Sequence, residues 1–123
     1  VGMGPFLPHK DTPFRDEPAG TAEDTLFLLS IVRLMHPRVL LPATTALGTL
    51  LPGGRERGIL AGANVVLPNI SPDEARARYL LYDNKLGTAG AAADNLAALR
   101  ESIRAIGYEP DPGRGDYRWE DKQ

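Results

Sequence analysis

Two short apolar runs each end in a proline: Val39-Leu40-Leu41 before Pro42, and Asn64-Val65-Val66-Leu67 before Pro68. With a helical stretch between them, they predict an α/β fold with parallel strands buried on both faces. Phe6-Leu7-Pro8 echoes the pattern, as expected of successive strand–helix units in which prolines release each strand into loops on one face. Eight such units close a barrel in roughly 250 residues, or about 31 per unit, so a chain of 123 residues holds roughly three units plus a tail. The prediction is therefore α/β: a partial (β/α)8 barrel of two to three βα units with a C-terminal helix.

Each element has a local cause. Pro5, Pro8, Pro13 and Pro18 deny Val1 to Gly20 a continuous helix or internal strand, so this segment reads as a long loop. A helix from Ala22 to about His36 follows, capped by Thr21 and stopped by Pro37, with Glu23 and Asp24 at the positive end of its dipole. Leu26, Phe27, Leu29, Ile31, Leu34 and Met35 give it a broad apolar face. The run Val39 to Leu41 reads as a strand, and Gly48, Pro52, Gly53 and Gly54 as the loop after it. Arg55 to Ala61 reads as a short helix that Gly62 ends in the left-handed conformation, before the second strand at Asn64 to Leu67. Ser71-Pro72-Asp73-Glu74 is a capping sequence, predicting a helix from Pro72 to about Leu81. Ala93, Leu96, Leu99, Ile103 and Ile106 recur every three or four residues until Gly107, an amphipathic final helix. Residues 1–107 are thus read as one barrel portion, and residues 108–123 as a polar, loosely ordered tail.

Composition narrows the function. The formal charge of −2 nominates neither nucleic acid nor an anionic membrane as a partner. No apolar run approaches the roughly 20 residues that span a bilayer, and the amino end lacks a secretory pattern, so the cytoplasm is the expected compartment. With no cysteine, the chain offers no disulfide, thiol nucleophile or thiolate ligand. His9 and His36 lack ligand spacing and are assigned to no metal.

Three motifs can carry chemistry, each with a plainer reading beside it. Thr44 and Thr45, just past a buried strand, can offer hydroxyls to an anion at the sheet mouth, or satisfy their own loop. Pro52-Gly53-Gly54-Arg55 can form an anion nest, or simply a turn leading into a helix. Tyr79 and Tyr82 lie three apart on one helical face, able to stack on a purine or to fill a core.

Three segments, taken in order, resemble a known group. They are Gly2-Met3-Gly4-Pro5-Phe6-Leu7-Pro8-His9 with Asp11-Thr12-Pro13, then Pro42-Ala43-Thr44-Thr45-Ala46-Leu47-Gly48-Thr49 leading to Gly54-Arg55-Glu56, then Ala61 to Asn69. Together they are similar to the C-terminal part of the FeFe-hydrogenase maturases of the HydE type, radical S-adenosylmethionine proteins grouped with biotin synthase and methylornithine synthase. The resemblance implies the last two to three units of a (β/α)8 barrel. It also implies a parent enzyme using S-adenosylmethionine and a 4Fe-4S cluster on a small sulfur-bearing substrate. By position, it places Thr44, Thr45, Leu67, Tyr79 and Tyr82 around the cofactor and substrate cavity, Leu67 standing where a methionine is usual. Pro5 and Phe6 fall in the loop closing another side of that mouth.

One departure matters most. The group's Cys-x-x-x-Cys-x-x-Cys loop has no counterpart here, so this chain alone is expected to hold no cluster and to be inactive. The resemblance also implies that the chain starts inside a strand, the end of the sixth, which fits a fragment or one half of a split barrel. Two or three parallel strands with open edges need a partner, giving a second expectation: a non-catalytic module that docks with an N-terminal half or self-associates.

Overall fold

The structure is a computed structural model that describes residues 1–68 and 92–116. Its elements are α1 (Ala22–Met35), β1 (Pro42–Ala43), α2 (Thr45–Leu50), α3 (Gly54–Leu60), β2 (Val65–Val66) and α4 (Ala92–Ala105). The fold is mixed α/β: β1 and β2 pair in parallel, Pro42 opposite Val65 and Ala43 opposite Val66, with α2 and α3 forming the crossover. The predicted helix from Pro72 to Leu81, with Tyr79 and Tyr82, lies outside the described residues, as does the tail beyond Asp116.

Helix α1 begins as its capping sequence dictates. Thr21 is extended and its side chain accepts from the Asp24 amide at 3.0 Å. Its inward side buries Ala22, Thr25 and Leu29, and the buried Thr25 hydroxyl donates to the Thr21 carbonyl at 2.9 Å. The broad apolar face expected of α1 is divided, however. Leu29 is fully buried, whereas Phe27, Leu34 and Met35 stay exposed.

The first strand and the segment after it differ from expectation, each for a local reason. The strand predicted to stop before Pro42 instead contains it, with β1 spanning Pro42–Ala43. Both polar backbone groups of Leu41 face β2: its amide donates to Asn64 Oδ1 at 2.8 Å, and its carbonyl accepts from the Asn64 and Val65 amides at 2.8 and 3.2 Å. Along an extended chain the next residue turns to the other edge, so the donor that Pro42 lacks is not one the β2 ladder needs. The second difference is α2. Thr45 to Leu50 was expected as loop, with Gly48 in it, but Thr44 is an extended N-cap whose Oγ1 accepts from the Leu47 amide at 3.3 Å. That cap offsets the weak helix propensity of threonine and glycine.

Helix α3 starts one residue earlier than expected, at Gly54, after Gly53 takes a left-handed conformation (φ 67°). Gly54 and Gly58, four apart, share one face and let α3 approach closely. A side chain at Gly54 would overlap the Leu47 carbonyl, and a Cβ at Gly58 would sit 3.1 Å from both Ala43 Cβ and Leu47 Cδ2. Gly62 then ends the helix at φ 116°, as the sequence predicts.

The core has two parts. Leu29, Leu41 and Leu47 are fully buried with Ala22, joining α1, β1 and α2. Leu99 and Ile103 of α4 pack on Ala43, Ile59 and Ala63, with Val66 and Ile106 beside them. Truncating one such leucine to alanine costs about 2–5 kcal/mol. Helices therefore cover the face of β1 that bears Leu41 and Ala43. The alternate residues Leu40, Pro42 and Thr44 turn to the other face and are half-buried.

Candidate functional site: the carboxyl end of the parallel strands

Thr44 and Thr45 follow β1 directly, so α2 begins at the carboxyl end of a parallel strand, where open α/β sheets place their ligand sites. Thr44 accepts from Leu47 as described. Thr45 Oγ1 accepts from Arg55 Nη2 at 3.2 Å, and the Thr45 carbonyl accepts from Thr49 Oγ1 at 3.0 Å. Both hydroxyl oxygens thus act as acceptors. Each hydroxyl also carries a proton that it can donate. The plainer reading of the threonine pair is also realised, since each supports local structure.

The N-terminal segment reaches the same place. A Cβ on Gly4 would lie 2.7 Å from Thr44 Oγ1, so the bare backbone of Gly4 rests against the threonine side chain. Pro5 is buried behind it. Phe6 is half exposed and meets Phe14 edge-on, with ring centroids 6.4 Å apart. The segment is pinned where the Gly20 amide donates to the Phe6 carbonyl at 2.9 Å. Leu67, at the end of β2, is 62% exposed and lies level with Thr44 in the parallel register. Thr44, Thr45, Pro5, Phe6 and Leu67 are thus found at one end of the sheet. Tyr79 and Tyr82 lie outside the described residues.

The segment Pro52 to Arg55 serves as the turn leading into α3, and Arg55 is directed to Thr45. Sequence reasoning missed Arg55 as a partner of Thr45, because the pairing spans ten positions and depends on α2, which was not foreseen. It also missed Arg33. That guanidinium donates from Nε to the Gly62 carbonyl at 2.7 Å and from Nη1 to the Pro37 carbonyl at 2.6 Å, tying the end of α1 to the turn after α3. A cleft of about 420 Å³ lies away from the threonines, between the amino ends of the strands and α4, with Leu40, Asn64, Ile103 and Tyr108 in its walls.

Among the described residues no three His, Asp or Glu side chains are grouped to hold a metal ion, and no helix is long and apolar enough to cross a membrane. The donor set does not suit an iron–sulfur cluster, since the whole chain contains no cysteine. No protein-family model matches the chain. The chain is, however, 39% identical over 110 residues to the [FeFe] hydrogenase maturase subunit HydE of Thermotoga maritima, a match covering 89% of this chain and 32% of the maturase. The chain corresponds to the C-terminal part of a HydE-like radical S-adenosylmethionine protein. This HydE-like chain spans about a third of the length of its relative.

Proposed function

We propose that this chain forms one wall of a radical S-adenosylmethionine (β/α)8 barrel of the hydrogenase-maturation type. Residues 1–107 supply the last two to three βα units, and residues 108–123 a polar tail. The wall contributes to the cofactor and substrate cavity through Thr44, Thr45 and Leu67, with Pro5 and Phe6 at the rim and Tyr79 and Tyr82 completing it. The proton on each threonine hydroxyl suits a carboxylate, such as that of an amino-acid moiety. Cluster ligation belongs to thiolates outside this chain. Work in the cytoplasm on a small molecule, after docking with an N-terminal half, completes the proposal.

One observation carries this reading: three chain segments run side by side in barrel order. The Val1 nitrogen donates to the Leu40 carbonyl at 3.0 Å, and Gly4 rests on Thr44, so residues 1–4 follow residues 40–44 in the same direction. The next carbonyl, that of Leu41, accepts from Asn64 and Val65 on the other edge. Segments 1–4, 40–44 and 64–67 therefore stand in sequence order, as consecutive strands of a (β/α)8 barrel do.

The test is reconstitution with reductant, iron, sulfide and S-adenosylmethionine, with 5′-deoxyadenosine as the readout. The chain alone should give none, and the chain combined with a cysteine-bearing N-terminal HydE half should give it. Product from the isolated chain, or none from a folded assembly, overturns the proposal. The second reading is a non-catalytic module that docks with an N-terminal half or self-associates. It predicts the same assembly without product.

A further inference from the structure

Helix α1 is apolar on more sides than its own core uses. Beyond the buried Ala22 and Leu29, it exposes Phe27, Leu28, Leu34 and Met35, the last two by 81% and 68%. Such a distribution belongs to a helix covered on a second flank. The flank facing α3 is fixed by two bonds: Ser30 Oγ donates to the Ala61 carbonyl at 3.0 Å, and Arg33 Nε to that of Gly62 at 2.7 Å. At 3.6 residues per turn, Ser30 stands about 100° from the inward Leu29 on that side, while Leu28 and Met35 stand roughly 100–120° away on the opposite side. Val32, partly buried against the core, bridges inward from them.

We propose that the flank bearing Leu28, Val32 and Met35 is the seam that receives the helix of the preceding βα unit, an amphipathic helix from the N-terminal part of a HydE-like barrel. This inference rests on the barrel reading above. Residues 1–4 lie on the edge of β1 away from β2, and α1 connects that edge to β1. Right-handed crossovers set successive helices in the same order as their strands. The helix before α1 therefore falls on the side away from α3, the side of Leu28 and Met35. The occupant has a source, because the relative is about three times the length that the chain spans. Beyond Asp24 in the first turn, that flank carries no charge, so an apolar partner face meets no desolvation penalty there.

The experiment mixes this chain with the N-terminal part of Thermotoga maritima HydE that it does not match, measuring stoichiometry by light scattering and affinity by calorimetry. The expected result is a one-to-one complex that Leu28→Glu and Met35→Glu each weaken tenfold or more, while Leu34→Glu, turned toward solvent, changes affinity less than threefold. Circular dichroism checks that each variant is folded. Should Leu28→Glu not fold, a bimane dye on Leu28→Cys, the sole thiol in this cysteine-free chain, should shift to the blue on complex formation, and one on Leu34→Cys should not. A complex indifferent to Leu28 and Met35 overturns the seam and leaves the barrel reading standing. With the HydE part also shown to be folded by circular dichroism, no complex overturns both. A homodimer broken by Leu28→Glu makes a second copy the occupant and overturns the seam.

Discussion

Replacing Asn64 with alanine removes a single acceptor from the centre of the sheet. Leu41 is fully buried, and its amide donates to Asn64 Oδ1 at 2.8 Å while its carbonyl accepts from the Asn64 amide at 2.8 Å. Asn64→Ala keeps the backbone bond and strands the buried Leu41 amide, a loss of about 1–3 kcal/mol. Asn64 is itself exposed, so lost packing adds little to that figure. For a domain of this size the melting temperature should fall by roughly 4–12 °C. Urea unfolding should show the midpoint moving at constant slope, because the change in exposed surface is unaltered. Asn64→Asp retains an oxygen in the same place and should stay within about 1 kcal/mol of the parent. Alanine within about 0.5 kcal/mol of the parent, or aspartate as damaging as alanine, would refute the assignment of the side chain as the partner of Leu41.

Gly4→Ala should force Thr44 out of its capping position, costing about 0.5–2 kcal/mol. Thr44→Val loses the same cap, so the double variant should be clearly less destabilised than the sum of the two; additive losses would separate the two sites. At the end of α4, Arg104 Nε donates to Glu109 Oε2 at 2.9 Å. That hydrogen bond, reinforced by the charge of Arg104, holds the Glu109 carboxyl below its usual range and raises Arg104 in turn. A depressed carboxyl favours the folded contact above its unfolded value and loses that contribution as pH falls through the native one. Amide exchange over residues 108–113 should therefore quicken in acid in the parent. In Glu109→Gln it should be quick throughout and nearly independent of pH after correction for intrinsic rates.

Much of the fold is legible in the sequence because it rests on local chemistry. Thr21 and Pro37 bracket α1, Gly62 closes α3, and the three-and-four spacing of Leu99, Ile103 and Ile106 marks α4. The two parallel strands show as apolar runs near prolines, although Pro42 falls inside β1. A sequence does not say toward which edge a missing donor points. Helix α2 is not legible in the sequence because Thr45, Gly48 and Thr49 argue against a helix, and only the Thr44 cap argues for one. At the candidate site, the threonine pair stood out from the residues alone. Its contacts with Gly4 and Arg55 did not, because both are set by how segments distant in the chain come together.

The most direct test of the shared mouth is a distance in solution. The chain has no cysteine, so spin labels can be placed at Gly2→Cys, where a Cβ meets no atom within 4 Å, and at Leu67→Cys, which is exposed. With residues 1–4 and 64–67 on opposite edges of residues 40–44, the two Cα atoms stand about two strand spacings apart laterally, roughly 10–15 Å in all. Strong dipolar broadening of the label spectrum at that range is the expected result. A separation beyond roughly 25 Å, approaching the full width of a domain this size, would put the N-terminal segment and the end of β2 at different ends of the molecule and contradict a common opening.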